Sequence, residues 1–169
     1  MTKRMLVAML ALFGALVSLY LTLFKIGVIG ELSCTVGNCN TVQLSKWATF
    51  LGLPVAAWGL GFYLATLALA IAGTSERLAD DRRISVALVA MSGWGVLFSG
   101  WLTYIELFVI DAICIWCVIS ALIVAIIFIV SLLALREFGA PDDEPLSAQA
   151  DGRLTPPASP RAAAPPPSR

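Results

Sequence analysis

Four cysteines in two close pairs are the residues of this chain best suited to chemistry: Cys34-Thr-Val-Gly-Asn-Cys39 and Cys114-Ile-Trp-Cys117. A disulfide needs its Cα atoms roughly 4.4–6.8 Å apart. Gly37 and Asn38 tolerate positive φ, so the first loop can fold back within that reach. In the second pair, residues i and i+3 share one face of a helix. A helix N-terminus stabilises a thiolate, which suits that pair to exchange rather than to inert bracing. The chain has no histidine. Ser-His-Asp and Cys-His catalysis, histidine-ligated haem and mixed Cys/His zinc sites are therefore excluded. An even cysteine count suggests disulfides in an oxidising compartment, and metal or transient redox chemistry in a reducing one.

The elements that position these cysteines are set by composition. Hydrophobic residues make up 59% of the 169 residues and charged residues 13%. Ordinary soluble domains have roughly 45–50% and about 25%. So much apolar surface must meet lipid, and a net charge of zero gives no electrostatic case for nucleic acid. Four apolar runs are long enough to cross a bilayer, about 5–27, 54–72, 84–108 and 113–135. The first could be a signal peptide behind Lys3 and Arg4. Its apolar run is too long for that, and no Ala-x-Ala site follows. Pro54 suits the first turn of the second span. The expected fold is an all-α membrane protein: a four-helix bundle, residues 1–137, with an outer loop carrying a cysteine pair. Residues 138–169 are rich in Pro, Ala and Ser, which predicts a disordered cytoplasmic tail.

Charge orients the bundle. With the N-terminus inside, the inner side holds Lys3, Arg4, Arg77, Arg82, Arg83, Arg136 and the tail arginines. The outer side holds only Lys25 and Lys46. Both termini are then cytoplasmic and both cysteine pairs lie at the outer face, where disulfides persist. Cys117 is about 4.5 Å deeper than Cys114 along its helix. Cys114 is placed to meet another disulfide, and Cys117 to meet a lipid-soluble oxidant. Electrons would run from an external dithiol to Cys34/Cys39, to Cys114/Cys117 and on to an acceptor such as a membrane quinone. Two other readings stay open. Cys34/Cys39 suits a structural disulfide equally well, and four thiolates could hold zinc as a membrane metal-binding site.

The residues from about Ala8 to Ser131 resemble the vitamin K epoxide reductase family, specifically its bacterial members. The resemblance rests on Cys34-Thr-Val-Gly-Asn-Cys39, Ser45-Lys46-Trp47, Gly52-Leu53-Pro54 and the stretch from Tyr104 to Cys117. The DsbB proteins do similar work with the opposite order of motifs, their CxxC lying in the first outer loop. The resemblance implies a quinone-dependent oxidoreductase of the bacterial inner membrane that reoxidises a thioredoxin-like, DsbA-like partner. Cys34 would exchange with that partner, Cys39 would pass electrons to Cys114, and Cys117 would react with the quinone, either menaquinone or ubiquinone. Ser45 would order the segment after the loop, and Trp47 would line the quinone pocket beside Val42. Many relatives carry a fused thioredoxin-like domain; none is expected here, so the partner is a separate polypeptide. Members that reduce the epoxide carry an Asn near the start of the second span and a Tyr shortly after the CxxC. Val55 and Ala121 stand there instead, which favours quinone over epoxide as acceptor.

Several residues carry a plainer reading beside the functional one. Ser45 also suits the N-cap of a helical stretch Lys46–Leu51. Gln43 fits a solvated interface as well as the pocket. Trp58, Trp94, Trp101 and Trp116 read as lipid-facing or packing residues. Gly93, Gly95, Ser99 and Gly100 are expected to let the third span pack closely. Glu106 is an ionisable group inside a span, where such groups are costly and often functional, and is a candidate proton route; Asp111 reads as solvated interface.

Overall fold

The computed structural model describes residues 2–75 and 82–137. The expected tail, 138–169, and Arg77 in the inner link lie outside the described residues. Among the described residues four helices are long and apolar enough to cross a membrane: α1 (Thr2–Lys25), α3 (Val55–Ala72), α4 (Arg82–Ile105) and α5 (Ile115–Glu137). The protein is an all-α, multi-pass membrane protein built as a four-helix bundle. Between α1 and α3 lie a short helix α2 (Cys39–Leu44), a 3₁₀ turn (Lys46–Ala48) and a two-stranded ribbon, β1 (Thr49–Phe50) and β2 (Leu53–Pro54). A π-turn, Glu106–Ile110, carries α4 past its α-helical end.

α1 is the central helix, packing along α3 and α5, while α4 packs mainly on α5. The half of the core towards the N-terminal end of α1 is built from Val7, Ala11 and Ala15 of α1 with Tyr63, Leu88, Ile123 and Ile127. With lipid tails as apolar as the helices, close packing rather than water exclusion holds such a bundle. Gly14 makes the α1–α3 approach possible. A Cβ there would stand 2.4 Å from the Tyr63 ring. That ring cannot swing away freely, because its hydroxyl donates to the Ser120 carbonyl at 2.9 Å. Gly14→Leu should therefore lower the unfolding temperature in detergent by the equivalent of ~1–3 kcal/mol, the usual cost of overpacking. An unchanged transition would show that α1 and α3 do not meet here.

The outer segment differs from the helix expected over Lys46–Leu51. Only three residues, Lys46–Ala48, form a 3₁₀ turn. Ser45 does not cap it; its hydroxyl donates back to the Val42 carbonyl at 2.7 Å, closing the end of α2. The reason lies in Leu51 and Gly52, with φ of 51° and 81°. Two successive positive φ values make a tight hairpin turn. They pair Phe50 with Leu53 and Thr49 with Pro54. Pro54 ends the ribbon as the residue before α3 rather than within its first turn. The glycines of the third span also divide. A Cβ on Gly95 would come within 2.7 Å of Phe62 and 2.8 Å of Val124, but one on Gly100 would meet nothing within 4 Å. Gly100 therefore has no close-packing role.

Candidate redox site

Cys34 and Cys39 are joined as a disulfide, with Cα atoms 6.3 Å apart. Cys114 and Cys117 are free thiols. Gly37, in the turn of the loop, adopts φ of 86°, a region open to glycine. That turn brings the loop against the strand-like approach to α5. The Asn38 N–H donates to the Ile113 carbonyl at 2.8 Å, and Gly37 pairs with Cys114 as an isolated antiparallel bridge. Cys39 and Cys114 are both fully buried in one cluster with Val17, Leu21, Leu32 and Val42. Segments some 75 residues apart in sequence therefore meet at one end of the bundle.

Trp116 fastens the same junction. Its indole N–H donates to the Ser33 carbonyl at 3.0 Å, and its ring lies 5.3 Å from that of Tyr20. The Tyr20 hydroxyl in turn accepts the Ser33 N–H at 3.1 Å. The packing role read for Trp116 is thus directed at the cysteine loop. Only the tertiary structure shows this, because Ser33 and Tyr20 carry no motif of their own.

Cys114 immediately precedes α5, and its carbonyl accepts the Val118 N–H at 3.1 Å. Cys117 lies in the first turn of α5. A hydrogen bond from the Cys117 thiol holds the Cys114 thiol below its ordinary value, at about 7, against burial, which works the other way. Near neutral pH Cys114 is thus substantially thiolate, and the fraction rises as pH passes upward through 7.

Cys117 opens onto a cavity of about 850 Å³ enclosed chiefly by α3, α4, α5 and the segment from α2 to the ribbon. The volume lies within the roughly 300–1,000 Å³ of ordinary small-molecule sites. Val42, Gln43, Ser45 and Trp47 all line it, and so do Val55 and Ala121. Gln43 is buried, and its amide nitrogen lies 3.7 Å from Cys117 Sγ, which sets aside the solvated reading. The Gln43 main-chain carbonyl accepts from the Lys25 ammonium. Trp58 and Trp94, read as lipid-facing or packing, also border the cavity, and the Trp58 indole donates to the Phe50 carbonyl at 3.2 Å. Glu106 reaches the cavity from the end of α4, whereas Asp111 is exposed in a left-handed turn with φ of 55°. Among the described residues no group of three or more His, Cys, Asp and Glu side chains is arranged to hold a metal ion.

A loop disulfide touches a dithiol, and the deeper sulfur of that dithiol faces a largely apolar cavity. The model of the vitamin K epoxide reductase family matches residues 5–132, a stretch that contains all four cysteines.

Proposed function

Because this chain belongs to the vitamin K epoxide reductase family, we propose that it regenerates disulfides in a thioredoxin-like, DsbA-like partner and delivers the electrons to a membrane quinone. Membership carries quinone-linked thiol oxidoreductase chemistry in general, and a thioredoxin-like partner in general. The finer path is our reading. Its main support is the contact of the Cys34–Cys39 loop with Cys114, one helical turn from a Cys117 that opens onto the cavity.

The steps follow from the sulfur chemistry. The partner's thiolate attacks Cys34, the Cys34–Cys39 bond breaks, and a mixed disulfide forms. The partner's second thiol then releases its own disulfide and leaves Cys34 and Cys39 reduced. Cys39 attacks Cys114 of a Cys114–Cys117 disulfide, freeing Cys117. Cys34 then attacks Cys39, which restores the loop disulfide and expels Cys114. A thiol of lower pKa leaves faster, and Cys114 is lowered to about 7. The products of that transfer are a Cys34–Cys39 disulfide with free Cys114 and Cys117, the pairing this structure carries.

The cavity suits a quinone. Its walls are mostly apolar and aromatic, with a few polar groups such as Gln43, Ser45 and Glu106 converging near Cys117. A quinone there supplies a two-electron, two-proton acceptor. Val42 and Trp47 would hold its ring, and Ser45 would keep the end of α2 closed beside it. Val55 and Ala121 offer no hydrogen-bonding side chain at the two cavity positions where epoxide-reducing members carry Asn and Tyr. We therefore assign the quinone as acceptor rather than the epoxide. The distribution of basic residues supports a topology with both termini in the cytoplasm and the cysteines at the extracytoplasmic face, and the resemblance to bacterial members supports the inner membrane as its location.

A trapping experiment tests this reading. Cys39→Ala leaves Cys34 a lone thiol that can attack the disulfide of an oxidised partner, with no neighbour to displace that partner afterwards, so mixed disulfides with cell-envelope proteins should accumulate at Cys34. The trapped protein, once reduced, should be oxidised by the wild-type chain in lipid with one quinol formed per disulfide. Turnover without quinol, or a trapped set with no dithiol protein in it, would remove the proposal.

A further inference from the structure

Joining Cys114 to Cys117 breaks two S–H bonds, forms one S–S bond and releases two electrons and two protons. The inference drawn here rests on the reading that these electrons go to a quinone, and concerns the protons. The Cys117 sulfur is enclosed by protein and cavity, so its proton needs a protein group to receive it. Gln43 can only donate to that sulfur through its amide.

Glu106 is the remaining polar neighbour. Its side chain is only 5% exposed. Its carboxylate accepts the Cys114 N–H at 3.2 Å, and its other hydrogen-bonding neighbour is the Cys117 thiol. It also lines the same cavity as Cys117. The backbone fixes it there. The Glu106 carbonyl accepts the N–H groups of Asp111 and Ala112, which closes the π-turn that leads into the CxxC. The titratable groups facing it are Cys114 and Cys117 from α5, while α2 contributes the neutral Gln43. Among the described residues no cation pairs with Glu106.

A buried carboxylate without a counter-ion is costly inside a membrane. Neutral glutamine would accept the same backbone N–H and close the same turn. What the carboxylate adds is the capacity to take up a proton. We propose that Glu106 is the base that receives the Cys117 proton as the Cys114–Cys117 bond forms and passes it across the cavity to the reduced acceptor. The second proton comes from Cys114, or from solvent at the outer face when Cys114 is already thiolate. Two electrons leave the cysteine pair, and the quinone takes them up with the Cys117 proton and the second proton to become a hydroquinone.

The test uses the full chain in lipid, as wild type, Glu106→Gln and Glu106→Asp. In a single turnover, E106Q should reduce quinone about 10²-fold more slowly, while exchange between Cys34/Cys39 and the partner keeps its wild-type rate. E106D should recover part of the loss. A second readout needs no quinone. The infrared difference between free and alkylated Cys117 should contain a shifted carboxylate band in wild type and E106D, as the Cys117 hydrogen bond is lost, and none in E106Q. Wild-type quinone reduction by E106Q overturns the proposal, and so does a wild-type spectrum without that band. If E106Q does not fold, E106D and the wild-type spectrum still decide. If Cys117→Ser keeps reducing quinone, the underlying electron path fails instead, and the carboxylate band remains an independent result.

Discussion

Cys117→Ser should stop electron delivery to quinone while leaving the outer disulfide reactive. A serine hydroxyl is a far weaker nucleophile than a thiolate and cannot close a disulfide with Cys114. Quinone reduction should fall by at least ~10³-fold, as expected for loss of a nucleophile. The structure adds a second expectation. Cys114 is buried in one cluster with Cys39, beside the loop disulfide, and the reactive form of its thiol is the thiolate. Without Cys117 to compete, that thiolate should attack Cys39 of the loop disulfide and free Cys34. Mapping under non-reducing conditions should find a Cys39–Cys114 bond. The trapped species should form faster as pH rises, since the thiolate is the attacking form. Quinone reduction at the wild-type rate would show that Cys117 is not the terminal sulfur. A missing Cys39–Cys114 bond would show that the two pairs do not communicate through these atoms.

Gly37→Val should separate the two cysteine pairs without removing either. Gly37 holds φ of 86°, where a β-branched residue is strained. A Cβ there would also stand 2.2 Å from the Ile113 carbonyl oxygen. That oxygen is backbone and already accepts the Asn38 N–H, so it cannot give way without losing that bond. Losing one such hydrogen bond costs only about 0.5–1.5 kcal/mol net, and the four-helix bundle should survive. The loop must nevertheless lift away from Cys114. A displacement of about 1 Å at a reacting centre can cost ~10²-fold. Partner-to-quinone turnover should fall by about that factor. Exchange of the loop disulfide with the partner should be retained, and so should direct reduction of Cys114/Cys117 by a small dithiol. Normal turnover in this variant would mean that contact through Gly37 does not set the transfer. Loss of all three activities would point to unfolding rather than separation.

The departures from expectation share a cause. The stretch Lys46–Leu51 was expected to be helical because Ser45 suits an N-cap. Leu51 and Gly52 form a hairpin turn whose register reaches to Pro54, and that pairing competes with the cap. Trp58 and Trp94 read as lipid-facing or packing residues, yet both border the cavity. Which way a tryptophan points depends on the helix it faces, and single-chain patterning in a membrane helix is nearly uniform. α3 has no marked polar side, so its residues alone give no lipid-facing or cavity-facing stripe.

The sequence by itself determined the solvent, the number of helices and the two cysteine pairs. Each follows from local properties: an apolar run long enough to cross lipid must span it as a helix, and a close Cys spacing can form a local disulfide. The family resemblance pointed to Trp47 and Val42 as pocket lining and to Ser45 as ordering the adjoining segment, while Gln43 carried a pocket reading beside a solvated one; all four border the cavity. The tertiary structure alone decided that the loop disulfide rests on Cys114 through Gly37 and Asn38, and that Cys117 is enclosed between Gln43 and Glu106. Those relations join residues some 74–77 positions apart or sit at the mouth of an irregular turn. No periodicity encodes them, because they depend on how α1, α4 and α5 pack and on where the π-turn ends. The two cysteine pairs are therefore legible one at a time in the chain, while the path between them exists only in the fold.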